Sequence, residues 1–170
     1  MMKSILRCRR AASRYLRIFG YVGLYYLFVA KVFKVRWIVP VSKKWSKGRD
    51  IFLRLNSSDI PVFDQVFLAE EYGVLDKLPQ KDGTILDIGA NIGLTSIYLS
   101  KKHPEKKIFA IEPDLSNFGL LLLNVSGIAN VTPMNFAIWG DRVDSLFIPP
   151  GTSEWGRQTR TDKSERLPGS

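Results

Sequence analysis

The sequence predicts an α/β fold built on a parallel, doubly wound sheet. Three observations predict it. From residue 84 onward, short apolar runs alternate with segments of helical periodicity in a β-α-β-α-β order. The runs Thr84–Ile88 and Lys107–Glu112 are nearly all apolar, as strands covered on both faces are. The links between runs are short, which suits right-handed crossovers between neighbouring parallel strands.

The chain has 170 residues, enough for one ordinary domain. An apolar fraction of 45% with four Trp argues for a packed core rather than a disordered chain. The single cysteine, Cys8, excludes an internal disulfide framework and a multi-cysteine zinc site. The single histidine, His103, leaves no His-rich site, so no metal is expected. The lone thiol fits a reducing cytosol.

The net charge of +9 is unevenly placed. Residues 1–49 carry 13 Lys/Arg and no Asp or Glu, while residues 50–170 carry 12 Lys/Arg against 16 Asp/Glu. A uniformly basic nucleic-acid-binding domain would not read this way, so nucleic acid is not expected as a partner. The chain divides into a basic, apolar arm and linker at 1–49, a ligand-binding α/β body at 50–148 and a polar tail at 149–170.

Within the arm, Ile18 to Ala30 is an uninterrupted apolar stretch of 13 residues, flanked by Arg14, Arg17, Lys31, Lys34 and Arg36. A spanning helix wants about 20 residues, and basic side chains can snorkel to rescue a short one. The arm is therefore read as a helix that meets a membrane surface through residues 14–36, lying on it or spanning it. Packing on the body is the alternative. A cleaved targeting segment fits less well, since no small-x-small site follows Ala30. On this reading the chain is cytoplasmic, with the arm at the membrane.

After Lys34–Ser42, β-rich but holding Pro40, comes a polar linker to Arg49. Ile51, Leu53 and Leu55 alternate as one face of a strand. Ser57, Ser58 and Asp59 offer N-cap oxygens to a helix from Ile60 to about Tyr72, burying Val62, Phe63, Val66 and Phe67 and stopped by Gly73. Lys81-Asp82-Gly83 is a turn. After the first sheet strand, a helix from Ile92 to His103 buries Leu94, Ile97 and Tyr98. Another from Pro113 to about Asn124 buries Leu115, Phe118, Leu121 and Leu122, and Asn130 to Ala137 is a third strand broken by Pro133. From Pro149 only Trp155 and Leu167 are large and apolar, too few for a further buried strand.

The chemistry gathers at Asp87-Ile-Gly-Ala-Asn-Ile-Gly93, an Asp-x-Gly-x-x-x-Gly pattern where a strand passes into a helix. Ligands of such sheets bind beyond the carboxyl ends of the strands. Gly89 permits the sharp turn, and Gly93 lets the helix start lie close to the strand. Glu112 ends the second strand, where its carboxylate can accept both hydroxyls of a ribose. A dinucleotide loop has three glycines in Gly-x-Gly-x-x-Gly to cradle a pyrophosphate. One is missing here, and Asp87 would repel phosphate while attracting an ammonium. S-adenosyl-L-methionine offers an ammonium, a sulfonium and a ribose with no phosphate, so it is favoured over NAD.

The segments Ile85–Tyr98, Ile111-Glu-Pro-Asp114, Asn117-Phe118, Asn124-Val125 and Asn130-Val131 resemble the FkbM family of methyltransferases, and Phe63–Tyr72 resembles the helix before its motif. The likeness covers residues 56–140. It implies a Rossmann-like class I methyltransferase sheet, S-adenosyl-L-methionine as donor, and O-methylation of a sugar or small-metabolite hydroxyl. It places Asp87, Gly89, Ala90, Asn91 and Gly93 at the methionine end, Glu112 at the ribose, and Asn135 to Ala137 at the adenine. The family continues with a fourth strand bearing a Lys-Ile-Asp-x-Glu-Gly-like segment that is not matched here. The sheet is therefore read as incomplete and the chain as a truncated form, with low turnover expected of it. No catalytic base is identified. His103 reads as a helix C-terminal cap, Asp114 as an N-cap, and Glu70 and Glu71 as a solvated helix face that could reach the site. A non-catalytic S-adenosyl-L-methionine-binding module and a membrane-associated interaction protein remain as alternatives.

Overall fold

A computed structural model describes residues 2–41, 49–69, 73, 83–138, 146–147 and 160–161. The polar stretch 42–48, Glu70, Glu71, the turn at Lys81-Asp82 and most of the 149–170 tail lie outside the described residues.

Three strands form the parallel sheet: β3 (Thr84–Ile88), β4 (Lys107–Ile111) and β5 (Val131–Met134), in the order β3-β4-β5. Their register sets Asp87 beside Ala110 and Ile108 beside Val131. Helix α4 (Leu94–Lys102) joins the first pair and α5 (Leu115–Val125) the second. The result is the Rossmann-like α/β arrangement expected. Ile85, Asp87, Ile108, Ala110 and Val131 share one face by alternation and register. That face is packed: Ile108 and Ala110 are fully buried among Leu94, Ile97, Leu120 and Leu121. Pro133 is tolerated in β5 because that strand is an edge, where a missing N–H costs no ladder bond.

The other face differs from expectation. An all-apolar strand predicts cover on both sides, yet Leu86 is 57% and Ile88 61% exposed. Helix α5 also turns a different face inward. Leu115 (75% exposed) and Leu122 point to solvent, while Asn117, Leu120, Leu121, Asn124 and Val125 are buried. Two asparagines occupy the buried face because their amides bond backbone and side chains of neighbouring elements. Apolar periodicity alone therefore misplaces the phase of the helix.

Before the sheet, β1 (Ile38–Val41) and β2 (Ile51–Arg54) pair antiparallel. Ile51, Leu53 and Leu55 are buried as their alternation predicts. The following helix is less regular than predicted, and its expected end near Tyr72 lies outside the described residues. Helix α3 (Asp59–Phe63) passes into a π-helical turn over Asp64–Leu68. It still buries Val62, Phe63 and Val66, with Phe67 partly covered. Ser58 stands at the N-cap without a side-chain capping bond, while Ser57 Oγ accepts from the Asp59 N–H at 3.1 Å. Further on, Leu146–Phe147 (β6) pairs antiparallel with Arg160–Thr161 (β7).

The arm is two helices rather than one. Helix α1 (Met2–Phe19) and α2 (Val22–Phe33) are separated at Gly20, whose φ of +67° suits a residue without a side chain. They approach closely at Gly23, where an added Cβ would sit 2.1 Å from the Tyr15 carbonyl oxygen. The hairpin is tied to the body. Arg14 and Arg17 pair with Asp64 at 3.0 and 2.7 Å, Ile18 is buried, and the Tyr15 hydroxyl accepts from the Asn56 N–H. No helix among the described residues is long and apolar enough to cross a membrane.

Candidate cofactor site

The predicted loop residues meet the two predicted carboxylates at the carboxyl end of β3 and β4. The turn after β3 is sharp. Gly89 has φ +76°, and the N–H groups of Gly89 and Ala90 both donate to the Ile111 carbonyl at 2.9 Å. This folds the loop across the end of β4. A Cβ at Gly89 would meet nothing within 4 Å, so the outer side of the turn is open. Gly93 is different. Its φ is +86°, and a Cβ there would lie 2.6 Å from Leu121 Cδ1 and 3.1 Å from Val125 Cγ1. The close approach that requires glycine is therefore to α5 rather than to the strand.

Glu112 is buried and faces the loop. Its Oε2 accepts from the Asn91 N–H and its Oε1 from the Asp114 N–H, both at 2.9 Å, with Asn117 Nδ2 at 3.5 Å. These bonds fix the Glu112 carboxylate against the loop at the end of β4. Asn91 is held in the left-handed region at φ +52°, and its Oδ1 is buried without a hydrogen-bond partner. A buried acceptor of this kind costs about 1–3 kcal/mol unless a donor reaches it. An N–H or O–H group of a ligand is such a donor.

Asp87 faces α4, where Ser96 Oγ donates to its Oδ2 at 2.5 Å. Burial pushes the Asp87 carboxyl above the ordinary carboxylate range, the Ser96 bond opposes this, and the charge on Glu112 adds to the rise. A carboxyl whose pKa is raised by folding stabilises the fold below its unfolded pKa, and that contribution is lost as pH rises through the folded value. Asp87→Asn keeps an acceptor for Ser96 and removes the charge. It is expected to raise the urea midpoint at pH 7 relative to wild type and to leave it nearly unchanged at pH 3. Equal midpoints at pH 7 would show that the Asp87 charge is not held at a cost.

Asn135 and Ala137 follow the end of β5, and Asn135 lies beside Glu112. Glu112 N–H donates to the Met134 carbonyl, and Asn135 Nδ2 donates to the carbonyls of Glu112 (2.8 Å) and Pro113 (3.2 Å). The Asn135 amide thus shapes the loop that carries Glu112. Asp114 caps α5 through Asn117 N–H at 2.9 Å, and His103 is the buried C-cap of α4; both stand as the sequence suggests.

The sequence reading missed the frame behind the site. Arg54 on β2 is buried and pairs with the fully buried Asp59: Nε to Oδ2 at 2.9 Å and Nη2 to Oδ1 at 3.0 Å. Arg54 Nη2 also donates to Asn117 Oδ1 at 2.8 Å, and Asn117 Nδ2 faces Glu112. One helix repeat on, Asn124 acts as a surrogate strand neighbour. Its Oδ1 accepts from Phe52 N–H at 2.7 Å, and its Nδ2 donates to the carbonyls of Phe52 (3.1 Å) and Ile92 (2.9 Å). The available signal was the seven-residue spacing of Asn117 and Asn124, which places both on one helix face.

No protein-family model matches the chain. It is 35% identical over 65 residues to methyltransferase sdnD of Sordaria araneosa, covering 38% of this chain and 24% of that protein. It is also 36% identical over 61 residues to the AMB antimetabolite synthetase AmbE of Pseudomonas aeruginosa, covering 36% of this chain and 3% of that protein. The chain thus spans less than a quarter of the length of each of these relatives. Among solved structures, it superposes on Aeropyrum pernix fibrillarin in complex with S-adenosyl-L-methionine with a TM-score of 0.36 at 20% identity, covering 60% of this chain and 40% of that one.

Proposed function

We propose that the chain binds S-adenosyl-L-methionine across the carboxyl ends of β3 and β4 and belongs to a methyltransferase of the FkbM type. The observation that carries this is the pairing of two carboxylates, Asp87 and Glu112, around a glycine loop whose Asn91 presents a buried, unpartnered acceptor. Phosphate is disfavoured between two carboxylates, whereas a cationic ligand with ribose hydroxyls finds complementary groups. The likeness to a methyltransferase sequence over 65 residues supports the same reading.

In this reading Asp87 and Asn91 hold the ammonium end, Glu112 the ribose, and Asn135 and Ala137 border the adenine. When bound, the cofactor supplies an already activated methyl group. The protein's part is then to bind and orient it and to present a sugar or small-metabolite hydroxyl in line.

The test is calorimetric titration with S-adenosylhomocysteine. The wild-type chain is expected to bind, and Glu112→Ala to weaken binding by about 1.5–3 kcal/mol, the value of a hydrogen bond to a charged group. A folded chain that takes up no ligand overturns the reading. Binding without methyl transfer from labelled cofactor to hydroxyl acceptors would select a non-catalytic binding module.

A further inference from the structure

Helix α2 buries Gly23, Val29 and Ala30 and turns the opposite side outward. On that side Tyr21, Tyr25, Phe28 and Val32 recur at intervals of four, three and four residues, the spacing of a single helix face. All four are exposed, Tyr21 at 89% and Phe28 at 59%. Leu24 borders the stripe, and Phe33, Trp37 and Ile38 extend exposed apolar surface past its end. A contiguous row of large apolar side chains outside a core marks an interaction surface rather than ordinary surface variation.

The charge around this row narrows the partner. Lys31 lies in the last turn of α2, Lys34 follows it, and Arg9 and Arg10 are exposed on α1. Residues 1–49 contain no acidic side chain to offset them. The only acidic partner that the hairpin meets among the described ion pairs is Asp64 of the body, which engages Arg14 and Arg17. Tyrosine and tryptophan favour the membrane–water boundary, and basic side chains beside them favour anionic headgroups. Helix α2 has 12 residues, about 18 Å at 1.5 Å per residue, short of a hydrocarbon core of about 30 Å. It can lie in the boundary but not cross it.

We propose that the outer face of α2 docks on an anionic lipid bilayer, with Tyr21, Tyr25, Phe28 and Val32 entering the headgroup boundary and the flanking Lys and Arg residues contacting lipid phosphates. The docked hairpin, clamped to the body by Asp64, would hold the sheet at the membrane surface. The proposal is independent of which ligand the glycine loop takes.

The experiment is co-sedimentation of the full chain with vesicles of phosphatidylcholine alone and of phosphatidylcholine with 30% phosphatidylserine, in 0.1 M and 0.5 M salt. Wild type is expected to sediment with the anionic vesicles in 0.1 M salt, to need at least tenfold more lipid in 0.5 M salt, and to bind neutral vesicles less. Y25S/F28S alters only exposed positions of α2, so its circular dichroism should match wild type, and its lipid requirement should rise at least tenfold. Failure of wild type to sediment with anionic vesicles overturns the proposal, as does equal binding by a folded Y25S/F28S. A concentration-dependent dimer abolished by Y25S/F28S, in a chain that leaves the vesicles in the supernatant, would assign the face to a second copy instead and also overturn it.

Discussion

Asp59→Ala is expected to lower folding stability by about 3–5 kcal/mol, because it leaves the Arg54 guanidinium buried without its counter-charge. Urea unfolding followed by circular dichroism measures this. Arg54→Met should cost a similar amount by stranding Asp59. The double variant Arg54→Met/Asp59→Asn removes both charges and keeps an acceptor for the Arg54 backbone N–H, which Asp59 holds at 2.9 Å. Its stability should therefore recover most of either single loss. Ligand binding should not recover with it. Arg54 fixes Asn117, and Asn117 faces Glu112. A double variant that is stable yet binds S-adenosylhomocysteine more weakly than wild type would show Arg54 to be a positioning residue for Glu112. Wild-type affinity in that variant would reduce the pair to a structural role.

The legible parts of this fold are those in which one physical demand acts alone. Strands β3 and β4 were readable to within a residue because each is a short, nearly all-apolar run set between turn and helix signals, even though one face of β3 is exposed. The loop at Gly89 and Gly93 was readable because positive φ leaves few residue choices. The hidden parts are those in which two demands compete. Gly20 breaks the arm into two helices, yet its neighbours Phe19 and Tyr21 keep the run apolar, so hydropathy shows no turn. In α5 the buried face carries Asn117 and Asn124, polar residues that a search for apolar periodicity assigns to solvent. Arg54 alternates with Leu53 and Leu55 as an outward residue should, but Asp59 and α5 cover that side too. Two of these misreadings share a cause. Buried polar groups are determined by partners distant in sequence, and no local pattern announces them.

Those same buried amides place α5 at the centre of the candidate site. The helix touches the glycine loop at two levels, Leu121 and Val125 against Gly93 and Asn124 on the Ile92 carbonyl, and its Asn117 stands behind Glu112. A loop carrying three left-handed residues, Gly89, Asn91 and Gly93, is held in shape from outside rather than by its own propensity.

Gly93→Ala is accordingly expected to be far more damaging than Gly89→Ala, although both residues have positive φ. At Gly89 an added Cβ meets nothing within 4 Å, so the cost is the left-handed conformation itself, about 1–2 kcal/mol. At Gly93 the same conformational cost is joined by overlap with Leu121 Cδ1 at 2.6 Å and Val125 Cγ1 at 3.1 Å. Overpacking a filled interior adds about 1–3 kcal/mol, for a total of about 2–5 kcal/mol. Paired urea titrations of the two variants separate the terms, since their difference is the packing contribution alone. Gly93→Ala combined with Leu121→Ala tests the assignment further. Shortening Leu121 removes the nearer clash, so the combined loss should fall well below the sum of the two single losses. Strict additivity would show that α5 does not clamp the loop through Leu121, and would shift the requirement for glycine at 93 wholly onto its backbone conformation.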